Sequence, residues 1–387
     1  MWEFTSPRTI VFGDEALEYL KEIQGSRAFI VSGKSVRRMG IADKVSAYLK
    51  EAGMEVRIFD DVEPEPSVET VKRGAASMSE FGPDWIVGLG GGSSMDAAKA
   101  MWVLYERPDL EVGMINPLER LGLRQKARLI CIPTTSGSGS EATWAAIITN
   151  TDEKVKMELP SKEAVPDIAI LDPVLPSMMP PSLTSQSGLD VLTHAIEAYS
   201  SPWSNDFSDA LAIKAIQTVF EYLPRSYADA GDSEARERMH LAATMGGLAF
   251  GNSQAGAAHS MGHSLGALFK ISHGRCVGMM LPYVMEFSRS VVLDRYVGIA
   301  RALGITTGDE EAARELIERV RSVRKGLGEP DSIKDAGIDE GDFTLMLGDL
   351  VDRAMRSALT PICPRIPSAE EYKRLFMCAY NGDKVDF

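Results

Sequence analysis

Five histidines occur in 387 residues, and three of them fall in one stretch, AHSMGHSLGALFKISHGRC (258–276), as His259, His263 and His273. His259 and His263 stand four apart, so on a helix they share one face. A second stretch, GLDVLTHAIEAYSS (188–201), repeats that spacing with Asp190 and His194 among apolar neighbours. One carboxylate and several imidazoles on two helices suit a first-row divalent metal. Such donors favour a borderline ion over magnesium or calcium. Spacing alone leaves open which histidines are ligands, and iron against zinc. Taken alone, the first helix has another reading. Ser187 precedes Asp190 by three, which would suit a capping box with His194 merely packed nearby. The crowding of the other histidines favours the metal. His240, in RERMHLAATM (236–245), lies outside the pattern and reads as a packed helix residue. The four cysteines, Cys131, Cys276, Cys363 and Cys378, form no CxxC pair and read as reduced thiols; Cys276, close after His273, is the one conceivable thiolate ligand.

Two loops point to a second ligand. GLGGGSSMDAAK (88–99) joins a strand-like run to a helix-like one. Glycine permits close backbone approach, and a helix N-terminus offers free N–H groups to phosphate. Gly91, Gly92 and Ser93 are the candidate contacts. The motif is not GxGxxG, and a tight turn without a ligand would look the same. PTTSGSGSEAT (133–143) follows another strand-like run, with Thr134, Thr135 and Ser138 as candidates. Two such loops at strand ends would face each other in an open α/β sheet, where ligands bind at the carboxyl ends. Together they suggest a dinucleotide.

The elements that position these groups divide the chain. AFIVS (28–32), EVRIF (55–59), WIVGLG (85–90) and RLICIP (128–133) read as strands, alternating with helical segments such as ADKVSAYLKEAG (42–53) and SSMDAAKAMWVLYE (93–106). That alternation predicts a parallel sheet covered on both faces. AAIIT (145–149), KVKME (154–158) and DIAIL (167–171) are further strand candidates. DPVLPSMMPPS (172–182) carries four prolines, which break helices and strands alike. Beyond it the periodicity is helical. The expected division is an α/β domain over 1–182 and a helical, metal-binding domain over 183–387. The composition, 44% hydrophobic and 25% charged, is that of a soluble globular chain. A net charge of -14 leaves no basic surplus to neutralise phosphates, which speaks against nucleic-acid or anionic-membrane partners. No apolar run approaches the ~18 residues of a membrane span, and MWEFTSPRTIVFG lacks a basic leader, so a cytoplasmic protein is expected.

These motifs resemble the iron-containing, or group III, alcohol dehydrogenases. The resemblance runs from TSPRTIVFG (5–13) through GLGGGSSMDAAK, PTTSGSGSEAT, ILDP (170–173) and the two histidine-bearing motifs to TPICPR (360–365), nearly the whole chain. The histidine motifs are its specific part. It implies a dehydroquinate-synthase-like architecture: an α/β Rossmann-like N-terminal domain and an all-helical C-terminal domain, with the active site in the cleft between them. It implies metal ligation by Asp190, His194, His259 and His273, with His263 beside the nicotinamide rather than on the metal. Lys156 matches a lysine that contacts the cofactor. Asp96 matches an aspartate beside the dinucleotide; by position alone it would also be a first-turn carboxylate complementing the helix dipole. The family loop after the threonines is often GTGSE, so Ser138 here replaces a threonine and keeps a hydroxyl. CPR (363–365) stands where NPR is usual, a change the sequence does not explain.

The implied reaction is reversible hydride transfer between an alcohol and a nicotinamide cofactor. Fe2+, or alternatively Zn2+, polarises the substrate oxygen, and His263 serves as proton relay. Glu197, one turn from His194, is placed to orient that helix or to join a salt bridge. A glycerol-dehydrogenase-like zinc enzyme and a dehydroquinate-synthase-like lyase share the broad fold, but the full Asp190, His194, His259 and His273 set matches the iron group better. A non-catalytic metal-binding scaffold would need no cofactor loops. In AFIVSGKSVRRMG (28–40), Gly33 stands where NAD-preferring members carry an acid. No carboxylate lies between Ser32 and Gly40, whereas Lys34, Ser35, Arg37 and Arg38 do. Gly33, Lys34 and Ser35 therefore join the cofactor-binding set, and NADP(H) is expected over NAD(H), unless the basic residues are a solvated helix start. Trp144, Ile147 and Phe250 are candidates for a substrate pocket or for core. The expected partners are a small alcohol or aldehyde and, from the family, further copies of the chain as a dimer or larger homo-oligomer.

Overall fold

A computed structural model describes residues 3–111, 113, 115, 120–151, 155–159 and 161–387. It contains two compact units, Met1–Met178 and Met179–Phe387. The first is built on β1 (Thr9–Phe12), β2 (Arg27–Ser32), β3 (Glu55–Phe59), β4 (Trp85–Gly90), β5 (Arg128–Pro133) and β8 (Ile168–Leu171). These six form one sheet in the order β1-β8-β5-β4-β2-β3, with every pairing parallel. The strands at its centre are continuous apolar runs because both faces are covered. Phe29, Val31, Ile86, Leu129 and Cys131 point to one side, under α3 (Val68–Phe81) and α4 (Gly92–Glu106). Ala28, Ile30, Val87, Leu89, Ile130 and Ile132 point to the other, under α2 (Ile41–Glu51). The short helix α1 (Lys34–Arg38) leaves the end of β2.

The remaining strands, β6 (Ile147–Asn150) and β7 (Val155–Glu158), form a separate antiparallel pair rather than joining the parallel sheet. Lys154, at the start of the expected strand KVKME, lies outside the described residues. In the sheet, the chain runs outward from β2 to β3, then returns to β4 and continues the opposite way. The order therefore reverses between β2 and β4, where open α/β sheets leave a crevice at their carboxyl ends.

The second unit is built from α5 (Pro181–Ser200), α6 (Asp206–Ala228), α7 (Ser233–Ser253), α8 (Ala257–Phe269), α9 (His273–Ser288), α10 (Leu293–Ala302), α11 (Asp309–Gly326), α12 (Glu340–Arg356) and α13 (Ala369–Asn381), with no strand among the described residues. Proline at the first helical position starts α5, where its missing N–H costs nothing. That start puts Asp190 in the middle of the helix, so the capping box that Ser187 offered is not formed. Leu189, Val191, Leu192, Ala195 and Ile196 bury α5 in the core, against α6, α7 and α9. Among the described residues, no helix is long and apolar enough to cross a membrane.

Candidate metal centre

Three helices deliver the donors. Asp190 and His194 occupy successive turns of α5, His259 lies in the first turn of α8, and His273 opens α9. The glycine of the SHG turn lets the last of these approach. A β-carbon on Gly274 would lie 2.3 Å from the Gln186 carbonyl oxygen and 3.4 Å from the Asp190 β-carbon. Beside it, the Ser272 hydroxyl donates to Gln186 Oε1 at 2.8 Å. Buried Glu329 ties the same two helices, accepting from Ser185 Oγ and Arg275 Nε, each at 2.6 Å.

The result is a convergence on one oxygen. Nε2 of His194, His259 and His273 lie 3.7, 3.7 and 3.3 Å from Asp190 Oδ1. One ligand atom from each of the four residues falls within 4.8 Å of every other. Metal–ligand bonds of ~2.1 Å give a tetrahedron with edges of about 3.4 Å, close to the three distances from Asp190 Oδ1. Asp190 Oδ1 and His259 Nε2 are buried without a hydrogen-bond partner, a costly state that a cation relieves. His273 keeps 37% of its side-chain surface, whereas the other three are buried.

Burial opposes charge on Asp190, but His194 and His273 outweigh it and hold the carboxyl well below the usual range. Burial pushes the His194 imidazole down to about 3, leaving it neutral with a lone pair to offer. Against its own burial, Glu197 and Asp190 push His259 up to about 9. Phe250 lies flat on the His194 ring, 4.0 Å between centroids. His263 is half-buried, with its ring 5.8 Å from that of His259 and 5.0 Å from that of His273, outside the converging set. His240 sits buried in α7, its imidazole pushed down to about 4 by that burial. Cys276 is buried in α9 with its thiol toward the Ile271 carbonyl, and takes no place among the donors.

In the first unit, β4 and β5 pair to their last residues, Gly90 with Pro133, so their loops leave the sheet side by side. A β-carbon on Gly91 would meet Thr135 Oγ1 at 3.4 Å, and one on Gly92 would meet Ser138 Oγ at 3.1 Å. Thr134 N continues the ladder to the Gly90 carbonyl. Gly91 caps α4 with no side-chain acceptor, so the first N–H groups of that helix face this junction. Asp96 looks inward: its oxygens accept from Ser140 Oγ at 2.6 Å and Ile147 N at 3.0 Å. Sequence reasoning missed Lys99, a fully buried lysine on α4 that donates to Ser140 Oγ, Thr143 Oγ1 and the Ala145 carbonyl. Lys156 pairs with Glu65 at 2.7 Å, and Glu65 N donates to Ser93 Oγ, which links that lysine to the glycine loop.

Gly33 caps α1 at the end of β2, with Ser35 Oγ and Ser94 Oγ each 3.9 Å from where its β-carbon would be. Two carboxylates beyond Gly40 fold back to this loop, a pairing the local sequence did not reveal. Lys34 pairs with Asp61 at 2.9 Å, and Arg37 with Asp43 at 3.0 Å. The CPR segment also acquires a role. Arg365 donates to the Phe287 and Phe387 carbonyls and to Glu371, and stacks on the Phe287 ring at 3.7 Å, so it fastens the segment to α9 and α13.

Residues 7–173 match the family described as iron-containing alcohol dehydrogenase, and residues 184–380 match the Fe-containing alcohol dehydrogenase family, C-terminal. The chain is 43% identical over 390 residues to an NADPH-dependent butanol dehydrogenase of Clostridium saccharobutylicum, covering 100% of both. It is 41% identical over 388 residues to an alcohol dehydrogenase of Thermococcus barophilus, covering 98% of this chain and 99% of that one. Among solved structures, an iron-containing alcohol dehydrogenase from Thermococcus thioreducens matches with a TM-score of 0.90 at 39% identity, covering 99% of this chain and 100% of that one.

Proposed function

The chain belongs to the iron-containing alcohol dehydrogenase family and is a metal-dependent alcohol dehydrogenase, and we propose that Asp190, His194, His259 and His273 hold its metal and that it prefers NADP(H). The observation that carries the ligand assignment is the approach of three imidazole nitrogens to within 3.3–3.7 Å of one buried, unpartnered carboxylate oxygen. The preferred ion is Fe2+, with Zn2+ the alternative that the same donors would accept. When bound, the metal supplies Lewis acidity toward an alcohol or carbonyl oxygen, and the nicotinamide supplies or accepts the hydride.

The chain's own groups prepare that chemistry. Asp190 brings the one negative charge of the set, and His194 stays neutral so that its lone pair is free. Phe250 covers one face of His194 and keeps water from it. His263, beside His273 but outside the converging set, relays the proton that the substrate oxygen loses or gains. Gly91, Gly92 and Ser93 at the start of α4, with Thr134, Thr135 and Ser138 opposite, form the phosphate cradle. Asp96 and Lys99 stiffen the second loop from beneath, and Lys156 and Glu65 flank the first. Gly33, Lys34 and Ser35 at the end of β2 take the adenosine ribose and its 2′-phosphate. That preference is supported by the missing acid at Gly33 and by the NADPH-dependent relative. On this reading 1–182 is the dinucleotide-binding region and 183–387 the metal-binding one, and the enzyme is a cytoplasmic homo-oligomer.

The test is metal analysis of anaerobically prepared protein with a panel of alcohols and aldehydes and both cofactors. One divalent ion per chain with turnover dependent on it is the expected result. Full turnover in a metal-free preparation would overturn the ligand assignment. His263→Ala should keep the ion and alter the pH–rate profile; loss of the stoichiometric ion would make His263 a ligand instead.

A further inference from the structure

We propose that Glu197 is a positioning residue for the metal centre, fixing which nitrogen of His259 faces the ion and where the helix bearing it begins. The inference rests on the ligand reading above and deepens it. Glu197 is 6% exposed, lies on α5 three residues after His194, and touches none of the converging donor atoms except through His259. Its carboxylate takes three donors. Oε2 accepts from His259 Nδ1 at 2.5 Å and Gly256 N at 3.0 Å, and Oε1 accepts from Ala258 N at 2.7 Å.

Two consequences follow from that arrangement. An imidazole nitrogen hydrogen-bonded to a carboxylate keeps its proton, so His259 stays N–H at Nδ1, and Nε2, turned toward Asp190, is the nitrogen left to give up its proton to an ion. Second, α8 has no side-chain cap of its own: Gly256, its N-cap residue, has none to give. Glu197 supplies that cap from α5, and so binds the first turn of the His259 helix to the helix that carries Asp190 and His194. The glycine is what admits the carboxylate, because a β-carbon on Gly256 would lie 2.9 Å from Glu197 Oε1. One side chain thereby sets both the orientation of a ligand and the spacing between two ligand-bearing helices.

The experiment titrates Co2+ into metal-depleted full-length protein, wild type, Glu197→Gln and Glu197→Met, with melting of each metal-depleted protein recorded in parallel. Glu197→Met keeps the length of the side chain and removes all three acceptor contacts; its Co2+ affinity should fall by ~10- to 100-fold. Glu197→Gln can still turn its carbonyl oxygen to His259 Nδ1 and Gly256 N, while its NH2 opposes Ala258 N, so it should fall in between and partly rescue. If wild type takes up one Co2+ and Glu197→Met binds it equally tightly, this inference is wrong while the ligand reading stands. If wild type takes up none, the ligand reading itself fails. The second readout survives poor folding of a variant. In Zn2+-loaded wild type labelled with 15N-histidine, only five side chains give signals. His259 should show a protonated Nδ1 that exchanges slowly, and a bare Nδ1 would overturn the inference.

Discussion

Replacing Gly274 by alanine tests whether helix packing, and not the donors alone, makes the metal centre. The new β-carbon would lie 2.3 Å from the carbonyl oxygen of Gln186 and 2.8 Å from its carbonyl carbon. Both are backbone atoms of α5, so no side chain can swing away. Reaching ordinary contact requires a displacement of roughly 1 Å between the start of α9 and α5. His273 is the first residue of α9 and moves with it. Its Nε2 now lies 3.3 Å from Asp190 Oδ1, and ligand bonds tolerate deviations of only about 0.2 Å. The expected loss of affinity is on the order of 100-fold, about 3 kcal/mol. Overpacking should also cost the metal-depleted protein about 1–3 kcal/mol, a few degrees in its melting midpoint. The assay is Co2+ titration by calorimetry, with melting curves of both forms. Gly348→Ala is the control. It sits exposed within α12, its β-carbon would meet nothing within 4 Å, and it should gain about 0.5–1 kcal/mol with unchanged affinity. Co2+ affinity in Gly274→Ala within threefold of wild type would refute the reasoning.

Three further outcomes are expected. His194→Ala and His273→Ala should lose the ion and nearly all turnover, while His240→Ala keeps both; metal analysis of the three variants decides, and a fully loaded, active His273→Ala contradicts the assignment. Wild type should use NADPH better than NADH by kcat/KM, and Gly33→Asp should swing toward NADH, even though its β-carbon must settle 3.1 Å from the Val62 carbonyl oxygen; equal or better use of NADH by wild type would end the proposal. His240, its imidazole lowered from 6.5 to about 4 by burial, leaves the unfolded chain holding more protons between those values, so its contribution is intact above about pH 6.5 and is lost as pH falls through 4, by roughly 3 kcal/mol in all; melting of wild type minus His240→Leu across that range should show the slope, and a flat difference would remove His240 as its source.

The convergence of the four candidate donors was legible because their chemistry is rare. Asp190, His194, His259 and His273 stand out among apolar residues, and i, i+4 spacing is a helix signal with few other meanings. The central strands were legible for a related reason, since a strand buried on both faces reads as an unbroken apolar run. β1 was less so: four residues, half-exposed or exposed, give too short a pattern to call. The pairing of β6 with β7 was also hidden, because a strand's composition does not say which sheet it joins. The partners of a charge lay further out of reach. Asp61 and Asp43 meet Lys34 and Arg37 only because β3 ends, and α2 begins, beside the loop. Asp43 stands ten residues beyond Gly33, but nothing in that window says that it turns back to Arg37, and Asp61 lies outside the window altogether.

The less visible half of the metal centre consists of residues that carry no metal chemistry. Gly256 admits a carboxylate and Gly274 admits a backbone, each by lacking one carbon atom. Glu197 looks, in sequence, like any helical acid one turn from a histidine. In the structure it accepts two backbone N–H groups and an imidazole. All of these residues, and all four candidate donors, fall within Met179–Phe387, whereas the candidate phosphate and ribose contacts fall within Met1–Met178. With the proposed ligands, the metal's binding energy would act on the folding of the helical unit directly, by RT ln(1 + [M]/Kd), about 2.7 kcal/mol at a free-ion concentration 100 times Kd. An apo centre leaves a buried carboxylate oxygen and an imidazole nitrogen unpartnered against that gain. If these residues hold the ion, the same groups that ready the site for chemistry make the unit's stability depend on it.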